Sequence, residues 1–343
     1  MNIKFYILIT IIIILFIPCN KFSLYSTSNL SHMRSKAKKH QNSRLIPKDT
    51  IGIDTQIFIE KLALLFDGPS KKWPVKAPFP LKGALLPYYR IVAYYGNFYT
   101  AKLGILGLKP ENQMLLKLKN EVSNWNKVDS LTPVIPAIHY LAVTAQTLPG
   151  KDQLFCQRMP PNQIQRAVDM ARILQGIAIL DVQVGQSTVQ KEIPNLEKFL
   201  SQPDVHLGLD PEWSMKKGAI PGTKIGTMDA KDINYAIEYL ADIVTKYNLP
   251  PKILIVHRFT KGMITNYQKI RTCREVQVVI NMDGFGYPAK KITTYRHIIT
   301  AQPVQFAGFK LFYKNDIKSK PFQMLTPKEI LQLNPKPSYI QYQ

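Results

Sequence analysis

From residue 90 to the carboxyl terminus, the sequence repeats one pattern: a short apolar run rich in β-branched residues, then Pro, Gly or Asn, and usually a stretch of helical periodicity. The apolar runs occupy residues 90–95, 134–143, 178–184, 205–209, 253–257, 276–282, 306–312 and 339–342. Helices are predicted at 111–125, 161–175, 193–201, 230–247, 265–271, 293–299 and 326–331. Continuous apolar strands that alternate with helices are typical of a parallel sheet covered on both faces.

Eight such strands within about 250 residues match the closed (β/α)8, or TIM-type, barrel in number and size. A doubly wound open sheet is the alternative. It needs a glycine-rich phosphate turn after an early strand, and the sequence contains no GxGxxG motif. No helix follows the eighth run, and a helix predicted at 54–66, with Asp54 as its N-cap, stands in for it. We therefore predict an α/β fold with a single barrel domain at 51–343.

Residues 1–20 predict export. A weakly basic start precedes the apolar letters FYILITIIIILFIP, a stretch shorter than a membrane-spanning helix and typical of a signal-peptide core. No A-x-A cleavage site follows, and Ile17 and Pro18 fit lipidation of Cys19 poorly. A cleaved signal peptide and a retained membrane anchor both remain open. Either one predicts an exported protein that is membrane-anchored, secreted or periplasmic.

The chain is strongly basic, with a formal net charge of +22, and the excess is densest near the amino terminus. Residues 21–50 are polar and basic, so we interpret them as a flexible tether that contacts anionic surfaces. No nucleic-acid-binding motif accompanies the charge, so specific nucleic-acid binding is not expected. The sequence has three cysteines and neither CxxC nor HExxH, and we predict no cofactor and no bound metal. A monomer is expected, and pairing of Cys156 with Cys273 stays open.

Acidic residues appear where the apolar runs end. Asp181 and Gln183 close the third run, Asp210 and Glu212 follow the fourth, and Asp283 follows the sixth. In α/β barrels the chemistry gathers at these strand exits. Because side chains alternate along a strand, residues two apart share one side, about 6–7 Å from each other. The carboxylates are therefore expected to converge at one mouth of the barrel.

Crowded carboxylates cannot all ionise freely, so the pKa of at least one should rise. A proton donor beside an ionised partner is what cleavage of a glycosidic bond requires. We predict Glu212 as the general acid and Asp210 as the residue that orients it or stabilises charge. Asp283 or Asp181 would then act as a base or a second helper.

Further polar and aromatic residues near the strand exits are candidate substrate ligands. These are His257, Arg258, Gln183, Lys310, Trp213 and Tyr95. Trp213 would stack on a sugar face, as would Tyr94 or Tyr95, whichever points inward. Lys310 together with Arg258 suits an anionic substrate.

Each of these candidates also has a structural alternative. Asp210 can simply cap the turn after strand four, and Asp181 can be a buried acid paired with Lys310 or His257. His257 can be a satisfied core histidine, and Trp213 can pack beneath a loop.

The strings PVIPAIHYLAVTAQ, LDVQVG, HLGLDPEW, IVHRF, MDGFG and YIQYQ together resemble a family of exported bacterial proteins, some lipoprotein-like, with no settled activity. A looser resemblance is to chitinase-type glycoside hydrolases, which also place Asp-x-Glu at the end of strand four. Only Asp210 and Glu212 match, because Leu207 and Gly208 stand where that family has further aspartates. Other glycosidase barrels place a glutamate nucleophile on strand seven, where this sequence has Lys310.

Three functions stay open on this basis. The first is a glycan-directed hydrolase acting on a glycan or cell-wall polymer, and the second is a non-catalytic carbohydrate- or cell-wall-binding protein. The third is a metal-dependent hydrolase that uses Asp181, Asp210, His257 and Asp283. Only His257 lies at a strand exit, which argues against a phosphodiesterase with paired histidines.

Overall fold

The computed structural model describes residues 53–68, 72–215 and 218–343. The leader and the basic tether predicted at 1–20 and 21–50 lie outside the described residues. Within the described part, no helix combines the length and the apolar character needed to cross a bilayer.

Eight strands of the described chain close into a barrel. They are β1 (Arg90–Gly96), β2 (Val134–Ala145), β3 (Ile177–Val182), β4 (Val205–Leu209), β5 (Lys252–Arg258), β6 (Val276–Met282), β7 (Phe306–Leu311) and β8 (Tyr339–Tyr342). Neighbouring strands follow chain order and pair in parallel. The ring closes where Ile91 of β1 lies opposite Tyr339 of β8. The predicted closed α/β barrel is confirmed.

The helices of the described residues lie between these strands and before the first of them. They are α1 (Thr55–Ala63), α2 (Glu111–Val128), α3 (Pro161–Ile173), α4 (Val189–Glu192), α5 (Glu197–Leu200), α6 (Ala230–Tyr247), α7 (Pro288–Tyr295) and α8 (Pro327–Ile330). Helix α6 begins at the N-cap Asp229, which forms a capping box with Asp232. Helix α7 continues through a π-helical turn at Arg296–Thr300.

The helix predicted at 265–271 is absent, and that prediction was wrong. A short strand, Ile264–Thr265, pairs there with Met228–Asp229, and a 3-10 turn follows. Asn266 has a left-handed backbone (φ 54°), which interrupts a helix. The side chains of Thr265 and Asn266 both donate to Asp229 Oδ2, at 2.6 Å each, and these bonds hold the segment against the start of α6.

The amino-terminal end of the barrel interior is mainly apolar, with His206 and Gln277 as buried polar exceptions, and we call it the floor. Its inward residues include Ile91, Ile135, Ile177, Ile253, Ile255 and Phe306. Leu65, Leu85 and Leu86 seal it from below. The backbone N–H groups of Leu85 and Leu86 both donate to Gln277 Oε1 at 3.1 Å, and Gln277 Nε2 donates to Leu86 O at 2.6 Å.

The residues that follow α1 bring Leu65 onto this floor, where its carbonyl accepts from Lys336 N–H at 2.7 Å. The outer face of β8, where the sequence placed the amino-terminal helix, carries a contact with α2. Trp125 Nε1 of α2 donates to Tyr342 Oη at 3.0 Å. The amino-terminal segment therefore closes the floor, while α2 covers this part of the last strand.

Candidate functional site

The carboxyl-terminal half of the barrel interior is polar, in contrast to the floor. Its inward side chains come from seven strands or from the turns directly after them. We call them the rim cluster: Tyr95, His139, Asp181, Gln183, Asp210, Glu212, His257, Asp283 and Lys310. All are buried except Glu212, which is partly exposed. The structure thus brings the four predicted carboxylates to one mouth of the barrel.

Charges of opposite sign alternate through the centre of this cluster. His257 Nδ1–H donates to Asp283 Oδ2 at 2.9 Å, and Lys310 Nζ lies 2.9 Å from Asp283 Oδ1. On the other side of the imidazole ring, His257 Nε2 lies 3.6 Å from Asp181 Oδ1. The order is therefore Asp181, His257, Asp283 and Lys310, anion next to cation throughout.

This alternation sets the protonation of its members. Burial alone would lower the pKa of His257, but Asp181 and Asp283 raise it to about 10, so the imidazolium form is favoured. Burial would likewise raise the pKa of both aspartates, yet the neighbouring cations hold both below their usual value. Asp181 and Asp283 are therefore the fixed anions of the site.

Asp210 and Glu212 behave in the opposite way. Burial, with Asp283 and Asp181 nearby, raises the pKa of Asp210 to about 7. Burial, with Asp210 and Asp283 nearby, raises the pKa of Glu212 to about 8. Glu212 therefore holds its proton near neutral pH and is the one acid of the cluster that is partly exposed.

Asp210 also has the structural role that the sequence left open. Its Oδ1 accepts from Glu212 N–H at 3.1 Å, which caps the 3-10 turn Pro211–Trp213, and its Oδ2 accepts from Gln183 Nε2 at 3.3 Å. Two contacts thus fix its carboxyl group and position the backbone of Glu212.

Tyr95, rather than Tyr94, points into the barrel. Its hydroxyl donates to Asp181 Oδ2 at 3.0 Å, and Lys310 Nζ lies 4.1 Å from the centre of its ring. Tyr94 faces outward, with its Oη 3.0 Å from Tyr313 Oη. The ammonium group of Lys310 therefore covers one face of the Tyr95 ring.

Arg258 does not join the rim cluster, which corrects its placement beside Lys310 as a substrate ligand. Because it follows the inward-facing His257 directly, strand alternation turns it outward. Its guanidinium donates to the carbonyls of Thr260 and Lys261 and to Gln302 Oε1.

Trp213 lies beside the site without being buried in it. Its ring is half-buried and comes within 3.8 Å of the place that a Cβ on Gly222 would take. The loop after β4 also folds back over the turn, since Gly226 N–H donates to Glu212 O at 2.6 Å. The exposed part of the ring is therefore flanked by this loop.

Sequence reasoning missed His139, which lies in the middle of β2, not at a strand exit. Its Nδ1 is 2.6 Å from Tyr339 Oη and 2.9 Å from Gln341 Nε2, and burial lowers its pKa to about 4. The available signal was a lone histidine inside an otherwise apolar run. The expectation of a single histidine at the site was wrong, because His139 and His257 have ring centres only 5.5 Å apart.

One group within the rim cluster has the composition of a metal-ligand set. Among the described residues, His139, Asp181 and His257 each offer one ligand atom, and these three atoms lie within 4.8 Å of one another. All three side chains are fully buried.

Two surface depressions, of about 430 and 290 Å³, lie away from the rim cluster. Ile53, Phe79 and Arg274 help to line the first, and Tyr89 and Val134 the second. Neither contains a member of the rim cluster.

No protein-family model and no curated protein matches the sequence. Among solved structures, a ruminal GH26 endo-beta-1,4-mannanase aligns with 74% of this chain at 11% identity and a TM-score of 0.34. The alignment spans 58% of the mannanase chain. GH26C from a Muricauda species aligns with 83% of this chain and 81% of its own at 9% identity and a TM-score of 0.34. Likenesses this distant carry no argument about function, and the barrel is established by its own strand pairing.

Proposed function

We propose that this protein is a glycan-directed hydrolase in which Glu212 donates the proton. The observation that carries the proposal is the pairing of a protonated, partly exposed Glu212 with two ionised aspartates at the carboxyl-terminal mouth of an α/β barrel. An acid and an anion with pKa values pushed in opposite directions are the requirement for acid-assisted cleavage of a glycosidic bond.

In this proposal Glu212 protonates the departing glycosidic oxygen. Asp283, the least buried of the two ionised aspartates, acts as base or stabilises the positive charge that develops on the sugar. Asp210 positions Glu212 through the capped turn, and Lys310 holds Asp283 in its ionised form. Trp213, next to the acid along the chain, offers an aromatic face to a sugar ring.

The glycan class rests on the strand-four Asp-x-Glu resemblance and on the partly exposed Trp213. A cell-wall polymer as the natural substrate rests further on the export predicted from residues 1–20. Both belong to the proposal, together with a secreted or membrane-anchored location.

The test is release of reducing ends from a panel of cell-wall and plant polysaccharides, with wild type and Glu212→Gln compared. Glutamine keeps the shape and removes the proton donor, so turnover should fall by about 10²–10⁴-fold. Glu60→Gln on the exposed face of α1 is the matched control and should keep full activity. Undiminished turnover in a folded Glu212→Gln protein would exclude this role.

A non-catalytic glycan-binding protein is the second candidate, and the burial of the rim cluster favours it. Asp181 and His257 are fully buried, and Asp210 is 2% exposed. Calorimetric binding of an oligosaccharide by both wild type and Glu212→Gln, without turnover by either, would select this alternative.

A further inference from the structure

Two imidazole nitrogens and one carboxylate oxygen converge at the centre of the rim cluster. His139 Nε2 lies 3.3 Å from Asp181 Oδ1, and His257 Nε2 lies 3.6 Å from the same oxygen. None of the three atoms makes a hydrogen bond of acceptable geometry, and all are sealed from solvent. Buried polar atoms that lack partners are rare in proteins, and three around one point demand an explanation.

The space between these atoms exists because residue 208 is a glycine. A Cβ built on Gly208 of β4 would lie 2.4 Å from Asp181 Oδ1 and 2.7 Å from His139 Nε2. Glycine therefore lets both donor atoms lie against this strand, and an alanine would displace them.

From this convergence we infer that His139 Nε2, His257 Nε2 and Asp181 Oδ1 bind a divalent first-row transition metal ion of the zinc class. Donors held about 2.0–2.1 Å from a tetrahedral ion lie about 3.4 Å apart, close to the two observed separations. Two imidazoles with one carboxylate are a common ligand set for Zn²⁺ and its neighbours, whereas Mg²⁺ and Ca²⁺ prefer oxygen ligands throughout.

The outer partners of the ligands have the arrangement that such sites require. His257 donates Nδ1–H to Asp283, so its Nε2 faces the ion, which displaces the proton that the imidazolium carries there without metal. Tyr95 Oη donates to the second oxygen of Asp181. Carboxylate and hydroxyl partners of this kind orient metal ligands and fix the histidine tautomer.

His139 needs a proton on Nδ1 for its Nε2 to bind an ion, and Tyr339 Oη at 2.6 Å then accepts a hydrogen bond from Nδ1–H. Gln341, whose amide lies 2.9 Å from Nδ1, accepts as well once its carboxamide is rotated by half a turn. The alternative tautomer, with Nε2 protonated, excludes the ion. The two arrangements therefore predict different metal contents.

Three protein ligands leave a coordination position open, which is the pattern of catalytic zinc rather than structural zinc. An ion there would activate a water molecule enclosed with it. The inference does not rest on the glycan proposal, since the ion is detected without turnover.

The test is metal analysis of the full chain, produced in medium supplemented with Zn²⁺ and with any affinity tag removed. Loading occurs during synthesis because the ligands are sealed from solvent in the folded protein. We expect about one zinc ion per chain. His139→Ala and His257→Ala should each abolish retention after dialysis, and Gly208→Ala should do the same by filling the space.

The matched control is His206→Ala. His206 is an equally buried histidine on β4 whose Nε2 also lacks a partner, but it lies at the floor, away from the three ligands. This variant should retain zinc. Tyr339→Phe keeps all ligands and removes one outer partner, so its affinity should fall by about 10–100-fold.

Should the histidine variants fail to fold, Co²⁺-loaded wild type decides the question. Visible absorption and X-ray absorption should show a low-coordinate ion with two imidazole nitrogens. A folded wild type without stoichiometric metal would overturn the proposal. So would metal that survives in both His139→Ala and His257→Ala, or a cobalt ion without imidazole ligands.

Discussion

The floor and the rim cluster occupy the two halves of one barrel interior, built by the same strands with the same alternation. At the floor the inward residues are Ile91, Ile177 and Ile255 and their neighbours, closed by leucines from outside the barrel. Further along the same inward faces, at the rim, those strands carry Tyr95, Asp181 and His257. The same backbone geometry therefore carries an apolar half and a polar half, and only the side chains differ between them.

The two halves contribute to stability with opposite sign. Each floor side chain gains about 1.5–3 kcal/mol from leaving water. Burying charges costs several kcal/mol for each ion, and pairing recovers that cost only where geometry is good. The polar half therefore stabilises the fold less than apolar residues in the same positions would. Such a loss of stability is expected at a functional site.

Lys310→Met should give the largest loss of stability. It leaves Asp283 as a buried carboxylate with only His257 as counter-charge, which should lower the free energy of unfolding by about 3–5 kcal/mol. Urea denaturation measures it. Lys246→Met, at an exposed ion pair with Glu197, is the control and should leave the free energy of unfolding nearly unchanged. Equal effects in the two variants would mean that the rim pairing adds nothing special.

Glu212→Gln should stabilise the protein at high pH, by as much as about 5 kcal/mol at pH 9. The folded state keeps a proton up to a pKa of about 8 that the unfolded chain loses near 4.5, so wild-type stability falls as pH rises through that window. Glutamine has no such proton, and near pH 4 the two proteins should be equally stable.

Thermal unfolding between pH 4 and 9 checks this. The groups that face Glu212 are Asp210, Asp283, Lys310 and His257. Asp210 titrates in the same direction, so part of the wild-type slope should persist in the variant. Parallel curves for wild type and variant would show that Glu212 is ionised throughout.

Ile255→Val at the floor should give the smallest effect, a loss of about 0.5–1.5 kcal/mol from one missing methylene. Metal content and any glycan turnover should be unchanged, because the floor contributes packing alone. Denaturation and zinc analysis of the same preparation test both statements. A loss of zinc in this variant would show that the two halves are not separable.

Much of the fold was readable from the sequence because every barrel strand is a buried run bounded by turn residues. Asp181, Asp210 and Asp283 were predictable as strand-exit acids, and their convergence follows from parallel strands ending at one edge. Arg258 was misassigned although the signal was present, since two consecutive strand residues cannot both face inward.

His139 was harder to find. It sits mid-strand on β2, and its value lies in facing His257 across the barrel, a relation between residues that are 118 positions apart. The helix prediction at 265–271 failed for a local reason. The left-handed backbone of Asn266 and its hydrogen bond to Asp229 outweigh the helical periodicity of the sequence there.

Gln277, the amide that holds Leu85 and Leu86, shares one face of β6 with Val279 and Asn281, and Asp283 continues that face just past the strand end. A slip of β6 by a single residue against its neighbours would point all four outward together. The contacts of Gln277 with Leu85 and Leu86, and the contact of Asp283 with His257, would then be lost together. Alignment of this one strand thus ties the sealing of one end of the molecule to the chemistry of the other.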